Sequence, residues 1–166
     1  VIMDISRFVR DYFIFIFGGL ACFIGAYESG IKVTKALKAK QFGEYLGQAF
    51  QLRDDILDYT TTSSTFKKPV LLDVKDGIYS GPLIFALQND DNNHLHELVK
   101  MRKDLTQDQL HEIENLVNHL GGVERAQKLA DQYTEKALAS LKKHWPDNEN
   151  RALIEQLTGR LLKRQY

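Results

Sequence analysis

The sequence predicts an all-α fold, and three observations carry that expectation. Only three prolines occur in 166 residues. Leu, Ala, Lys, Gln and Glu, the stronger helix formers, are abundant. Apolar residues recur at helical spacing along nearly the whole length. The chain is 43% hydrophobic and 27% charged, enough for one domain with a real core. Its 22 basic and 22 acidic side chains cancel, which argues against nucleic-acid binding driven by phosphate attraction.

The first helix is expected from Asp4 to about Ser29. Its second half is hydrophobic all round, as in a helix enclosed by neighbours. The stretch Tyr12 to Ala26 is almost wholly apolar, but its 15 residues include Gly18, Gly19 and Gly25. It falls short of the ~20 residues that a membrane span requires. Nor does it follow a basic cluster at the extreme N-terminus, as a secretory signal would. The expectation is a buried core helix of a soluble, cytoplasmic protein. Cys22, the single cysteine, leaves no internal disulfide and reads as a small core hydrophobe.

Ser29-Gly30 breaks the first helix, and a second runs from about Val33 to Thr60. Its apolar positions are Ala36, Leu37, Phe42, Leu46, Ala49, Phe50, Ile56 and Leu57. Gly43 and Gly47 share one face, and each disfavours the helix by about 1 kcal/mol relative to Ala. Such residues are tolerable where another backbone must pack closely. Thr60 to Thr65 and Lys67-Lys68-Pro69 read as loop, because the residue before a proline is pushed out of helix. Val70 to Gly77 reads as ordered loop ending in a turn at Asp76-Gly77. Ile78 to about Gln88 is a short helix with Pro82 in its first turn, where proline is accepted.

Asn89 to Asn93 is a polar loop, followed by a helix from about His94 to Met101. Thr106-x-x-Gln109 forms a capping box for a helix running to about His119. Gly121-Gly122 stops it, and Val123 to about His144 follows with Ala126, Leu129, Ala130, Tyr133, Ala137, Leu138 and Leu141 at helical spacing. Trp145-Pro146-Asp147 breaks the chain again. The last helix, Asn150 to Arg164, is expected to face Leu153, Ile154, Leu157, Leu161 and Leu162 inward.

Chemistry concentrates in Phe50-Gln51-Leu52-Arg53-Asp54-Asp55-Ile56-Leu57-Asp58-Tyr59. On a helix Asp54 and Asp58 project from one face, and Asp55 lies about 100° round. Like charges so spaced disfavour a helix by a few tenths of a kcal/mol. A divalent cation would offset this, and Mg²⁺ fits because it is held by a few carboxylates plus substrate phosphate oxygens. Zinc is a poor candidate, since it wants a closed set of N and S ligands. His94 and His96 flank a loop, His111, His119 and His144 are scattered on polar helix faces, and Cys22 lies in an apolar run.

The ordered set Gly43-x-x-x-Gly47-x-Ala49-Phe50-Gln51-x-x-Asp54-Asp55-x-x-Asp58, then Lys68-Pro69-x-x-x-Asp73-x-x-x-Gly77-x-x-Ser80-x-Pro82, then Gly121-Gly122, resembles the trans-type polyprenyl diphosphate synthases. Ala137-Leu138-x-x-Leu141 and Leu161-Leu162-x-Arg164 look like that family's closing helices. The resemblance implies a helical bundle of the isoprenoid synthase type, with residues 1–166 as the C-terminal part of a single domain carrying the second aspartate-rich motif. It implies a prenyltransferase that joins an allylic diphosphate to isopentenyl diphosphate with Mg²⁺. Asp54 and Asp58 would then be metal ligands, direct or through water, with Asp55 supporting them. Gln51 would line the site one turn earlier, where its amide would steady the diphosphate or the reacting carbon, Lys68 would bind diphosphate, and Asp73 would order its loop or reach metal-bound water. A homodimer is implied as well.

The sequence also departs from that pattern. Full-length members carry an N-terminal half with a first aspartate-rich motif and basic residues for isopentenyl diphosphate, and neither has a counterpart here. A Lys-Thr pair that normally precedes the Gly-Ala seen as Gly25-Ala26 is missing, and Gly18-Gly19-Leu20-Ala21-Cys22 runs straight through. Losing about six residues inside a core helix would rotate everything after it by most of two turns. The favoured expectation is the C-terminal part of a longer enzyme, inactive by itself because it holds one metal-binding wall of two. The alternatives are a non-catalytic helical subunit that modulates a partner synthase, and a truncated product without activity.

Overall fold

The computed structural model describes residues 5–60 and 71–162, with side-chain environments from Ile16 onward in the first helix. The Thr60–Thr65 and Lys67-Lys68-Pro69 loops therefore fall outside the described residues, apart from Thr60 itself. Eight α-helices occur among those residues, and no strand: α1 (Ile5–Glu28), α2 (Val33–Thr60), α3 (Leu72–Lys75), α4 (Gly81–Leu87), α5 (His94–Lys100), α6 (Gln107–His119), α7 (Gly122–His144) and α8 (Glu149–Leu162). A 3₁₀ turn lies at Arg102–Asp104. The chain divides into two compact units, one holding Leu52–Lys128 and the other Ile5–Gln51 with Leu129–Tyr166.

The Leu52–Lys128 unit is built on a core of Leu83, Leu95, Leu105, Leu110, Ile113 and Val117, with Tyr59 and Val74 packed into it. Pro82 sits in the first turn of α4, as expected from its missing N–H. Thr106 and Gln109 form both halves of the capping box that starts α6. Gly122 lies so close to α4 that a Cβ there would collide with the Pro82 carbonyl oxygen.

One expectation changes in this unit. Residues 72–75, read as loop, form the four-residue helix α3, which is too short to show a period. Its preceding residue Leu71 is buried in a left-handed conformation with φ 56°. That backbone costs about 1–2 kcal/mol for an L-residue, and burial of the Leu71 side chain offsets it. The Asp76-Gly77 turn is present, with Gly77 at φ 74° and Ile78 N donating to the Asp73 carbonyl over 2.9 Å.

Asp90 anchors the start of α5. Its Oδ2 accepts from His96 N and from His96 Nδ1, each at 2.8 Å. Burial alone would raise the Asp90 pKa, but the hydrogen bonds from His96 outweigh it and hold the carboxyl below its ordinary value. A group with a depressed folded pKa stabilises the fold fully above its unfolded pKa, about 3.9 for Asp, and loses that contribution as pH falls through the folded value. Asp90→Ala should therefore lower stability at pH 7. In urea melts, the gap to the parent should shrink as the pH is taken down through the acid range.

In the other unit α1 and α2 form an antiparallel hairpin whose crossing is backbone on backbone. A Cβ at Gly18 would stand 2.9 Å from the Gly43 carbonyl oxygen. One at Gly43 would strike the Gly18 carbonyl oxygen and lie 2.8 Å from Cys22 Sγ. The Gly18-Gly19 pair is thus the site of closest helix approach, with Gly19 against Lys40 and Glu44. Phe42, Ala137 and Leu141 form the core, joined by Cys22, Tyr45, Leu46 and Trp145. Burial pushes the Cys22 thiol pKa up, as suits a small core hydrophobe.

Two expectations about facing are corrected here. Ile16, Phe17, Leu20, Ile24 and Tyr27 of α1 are exposed, so this half of the helix is not enclosed. In α8, Leu153, Ile154 and Leu157 are exposed, while Thr158 and Leu162 are buried. An apolar stripe records that a face favours a neighbour; it does not supply one within these residues.

Candidate active site

The last turns of α2 carry Asp54, Asp55 and Asp58, and the structure parts them. Asp55 and Tyr59, four apart, turn toward the start of α4. Asp55 Oδ2 accepts a hydrogen bond from Gly81 N at 3.0 Å, and Tyr59 Oη lies 3.0 Å from Ser80 Oγ. Asn118 Nδ2 donates to the Tyr59 carbonyl over 3.1 Å, which adds α6 to the clasp. Gly81 lets this approach happen, since a Cβ there would meet Leu52 Cδ2 at 3.0 Å.

Asp54 and Asp58 are instead exposed. They present hard oxygen donors on successive turns of one helix face. Among the described residues no three His, Cys, Asp or Glu side chains converge on one metal position. Carboxylate oxygens are donors suited to a hard divalent cation that keeps water and phosphate oxygens among its ligands, rather than to Zn²⁺. Gln51, one turn earlier on α2, is half-buried with its amide oxygen sealed from solvent. Asp73 is exposed at the first turn of α3. Lys68 lies outside the described residues.

The sequence reading missed the positioning set Tyr59, Ser80, Gly81 and Asn118. Ser80 and Pro82 stood in the quoted pattern, but nothing in their spacing revealed that Asp55 reaches the backbone beside them. Removing Asp55 leaves a half-buried N–H without its acceptor, at a loss of about 1–3 kcal/mol. Asp55→Ala is therefore expected to lower Tm by several degrees in thermal melts. Substitution at exposed Asp54 should not.

A sequence model of the polyprenyl synthetase family matches residues 17–119, more than half of the chain. The chain belongs to the polyprenyl synthetase family. The chain is 37% identical over 126 residues to the all trans-polyprenyl-diphosphate synthase of Mus musculus, covering 76% of the chain and 30% of that relative. It is 30% identical over 146 residues to heptaprenyl diphosphate synthase component 2 of Geobacillus stearothermophilus, covering 88% and 45% respectively. A solved polyprenyl synthase from Caulobacter crescentus, complexed with calcium and isoprenyl diphosphate, superposes with a TM-score of 0.77 at 28% identity. That match covers 90% of this chain and 46% of the solved one. The chain thus spans less than half the length of each of these three. The all-α fold is that of the isoprenoid synthases.

Proposed function

We propose that this chain is the second-motif part of a single isoprenoid-synthase domain, belonging to an enzyme that condenses an allylic diphosphate with isopentenyl diphosphate to an all-trans polyprenyl diphosphate. The observation that carries the reading is the pair of exposed carboxylates, Asp54 and Asp58, on a helix end fixed by Asp55 and Tyr59. Asp54 and Asp58 would hold Mg²⁺. When bound, it supplies positive charge that stabilises a diphosphate as it departs. The solved Caulobacter relative, with calcium and isoprenyl diphosphate, supports a divalent cation and a diphosphate as the partners of this fold.

The remaining residues position and shield. Asp55 gives an oxygen to the α4 backbone and so fixes the rotation of α2 that turns Asp54 and Asp58 outward. Gln51 offers an amide one turn earlier, and Lys68 would add a cation for the diphosphate. The ionised allylic carbon must be kept from water, and the apolar faces of the helices supply that exclusion once the second wall of the site is in place. A homodimer would be the assembly.

The test is incorporation of labelled isopentenyl diphosphate onto an allylic primer by the complete enzyme, with Mg²⁺ and after chelation. Metal-dependent all-trans product supports the reading; its absence under every metal condition refutes it. The similarity to a protein named as component 2 of a heptaprenyl synthase favours a second reading, in which this chain is one subunit of a heteromer. In that case incorporation appears only when a second protein is added.

A further inference from the structure

The two outward acids of α2 stand at different depths in their helix. Asp54 precedes the Asp55–Gly81 anchor, whereas Asp58 follows it in the final turn, and α2 ends at Thr60. The last four carbonyls of a helix, here those of residues 57–60, have no partner inside it. Such a turn frays unless donors from elsewhere take those oxygens up. A metal ligand on a fraying turn is poorly preorganised, and its cation is held less tightly.

Tyr59, the neighbour of Asp58, is gripped at both ends. Its carbonyl oxygen accepts from Asn118 Nδ2 at 3.1 Å, and its phenol oxygen lies 3.0 Å from Ser80 Oγ. The residue between these grips is buried, with 3% of its surface exposed. Asn118 is itself oriented, because its Nδ2 also donates to the Glu114 carbonyl of α6 over 2.9 Å. Both amide hydrogens are thus engaged, and the opposite orientation would set the amide oxygen against two carbonyl oxygens. The two grips are separate. One comes from α6 and holds backbone; the other comes from the residue before α4 and holds a side chain.

Given the metal role proposed for Asp54 and Asp58, we infer that Asn118 is a positioning residue for the cation site: by holding the Tyr59 carbonyl against α6, it keeps the final turn of α2 wound and Asp58 on the face it shares with Asp54. Its effect falls on the later acid. Asp54 lies deeper in the helix, beside an Asp55 already tied to Gly81 N. Loss of Asn118 leaves one steady carboxylate and one that swings, a pair that binds a divalent cation more weakly but forms the same site once saturated. An amide that merely joined two helices would lower stability and leave the metal untouched. Asn89 is the matching case in the same unit. Its Nδ2 donates to the Leu120 carbonyl over 2.9 Å, the same kind of bond at the end of α6, where no acid of the site lies.

The test is a titration of the complete enzyme with Mn²⁺ alone, read by loss of the free-ion electron paramagnetic resonance signal. Mg²⁺-dependent incorporation of isopentenyl diphosphate is measured beside it. Groups hydrogen-bonded to a metal ligand control affinity by about 10–100-fold, and Asn118 acts one residue further away, so Asn118→Ala is expected to weaken Mn²⁺ binding about three- to tenfold. The Mg²⁺ concentration for half-maximal incorporation should rise by the same factor, with turnover at saturating Mg²⁺ retained. Asn89→Ala should lower Tm comparably and leave both metal readings at parent values. If Asn118→Ala fails to fold, Tyr59→Phe releases the other grip and carries the same expectation. Asp58→Ala separates the two levels of the reading. Should it leave Mn²⁺ binding unchanged, the metal role of Asp58 falls and the role of Asn118 with it. Should Asp58→Ala weaken binding while folded Asn118→Ala does not, or Asn89→Ala weaken it equally, the positioning role alone is overturned.

Discussion

Asp54→Ala, made in the complete enzyme, is expected to reduce turnover at least about a hundredfold, the scale on which removing one element of electrostatic stabilisation acts. Its melting temperature should be unchanged or slightly raised. Asp54 is exposed, and removing it relieves like-charge repulsion with Asp58 worth a few tenths of a kcal/mol. Asp55→Ala gives the contrasting pattern, because that carboxylate accepts from Gly81 N and its loss is felt first in stability. Steady-state incorporation and thermal melts on the two variants separate the roles. An Asp54→Ala protein that unfolds yet keeps its activity would make these acids structural and refute the metal-binding reading.

Gly43→Ala is expected to produce a large loss of stability from a single added methyl. In a helix interior the change is usually favourable by about 1 kcal/mol. Here the new Cβ meets the Gly18 carbonyl, a backbone atom that cannot swing aside, and Cys22 Sγ at 2.8 Å. Overpacking of this kind costs about 1–3 kcal/mol or more, so the net sign is destabilising. Gly25→Ala is the control. It lies in the same hairpin with nothing within 4 Å of the new atom, and it should gain the propensity term. Urea unfolding of the two variants should move the midpoint in opposite directions.

Most helix boundaries were legible because strong punctuation coincides with a change of period. α2 begins at Val33 after Ser29-Gly30 and ends at Thr60 before a Thr/Ser cluster, as expected. The capping box at Thr106 and the first-turn Pro82 stand where their chemistry requires. The short α3 was not legible, since four residues show no period and Leu71 enters it through a conformation that tertiary burial imposes. The bare faces of α1 and α8 were not legible either. Periodicity marks Leu153 and Leu157 as apolar neighbours on a helix, but whether anything covers them depends on atoms outside that helix. In the candidate site, the run of acids was visible at once. Its division into outward Asp54 and Asp58 and inward Asp55 depends on Gly81, 26 residues away from Asp55.

The meeting of Cys22 with Gly43 gives the protein a chemical clock. The chain holds one thiol, part-buried at the helix crossing and with its ionisation suppressed by burial. Only the thiolate reacts with an alkylating reagent, so modification should wait on separation of α1 from α2. The ratio of its rate in unfolded and native protein would then measure how often this hairpin breathes, at one known position and without any label added beforehand.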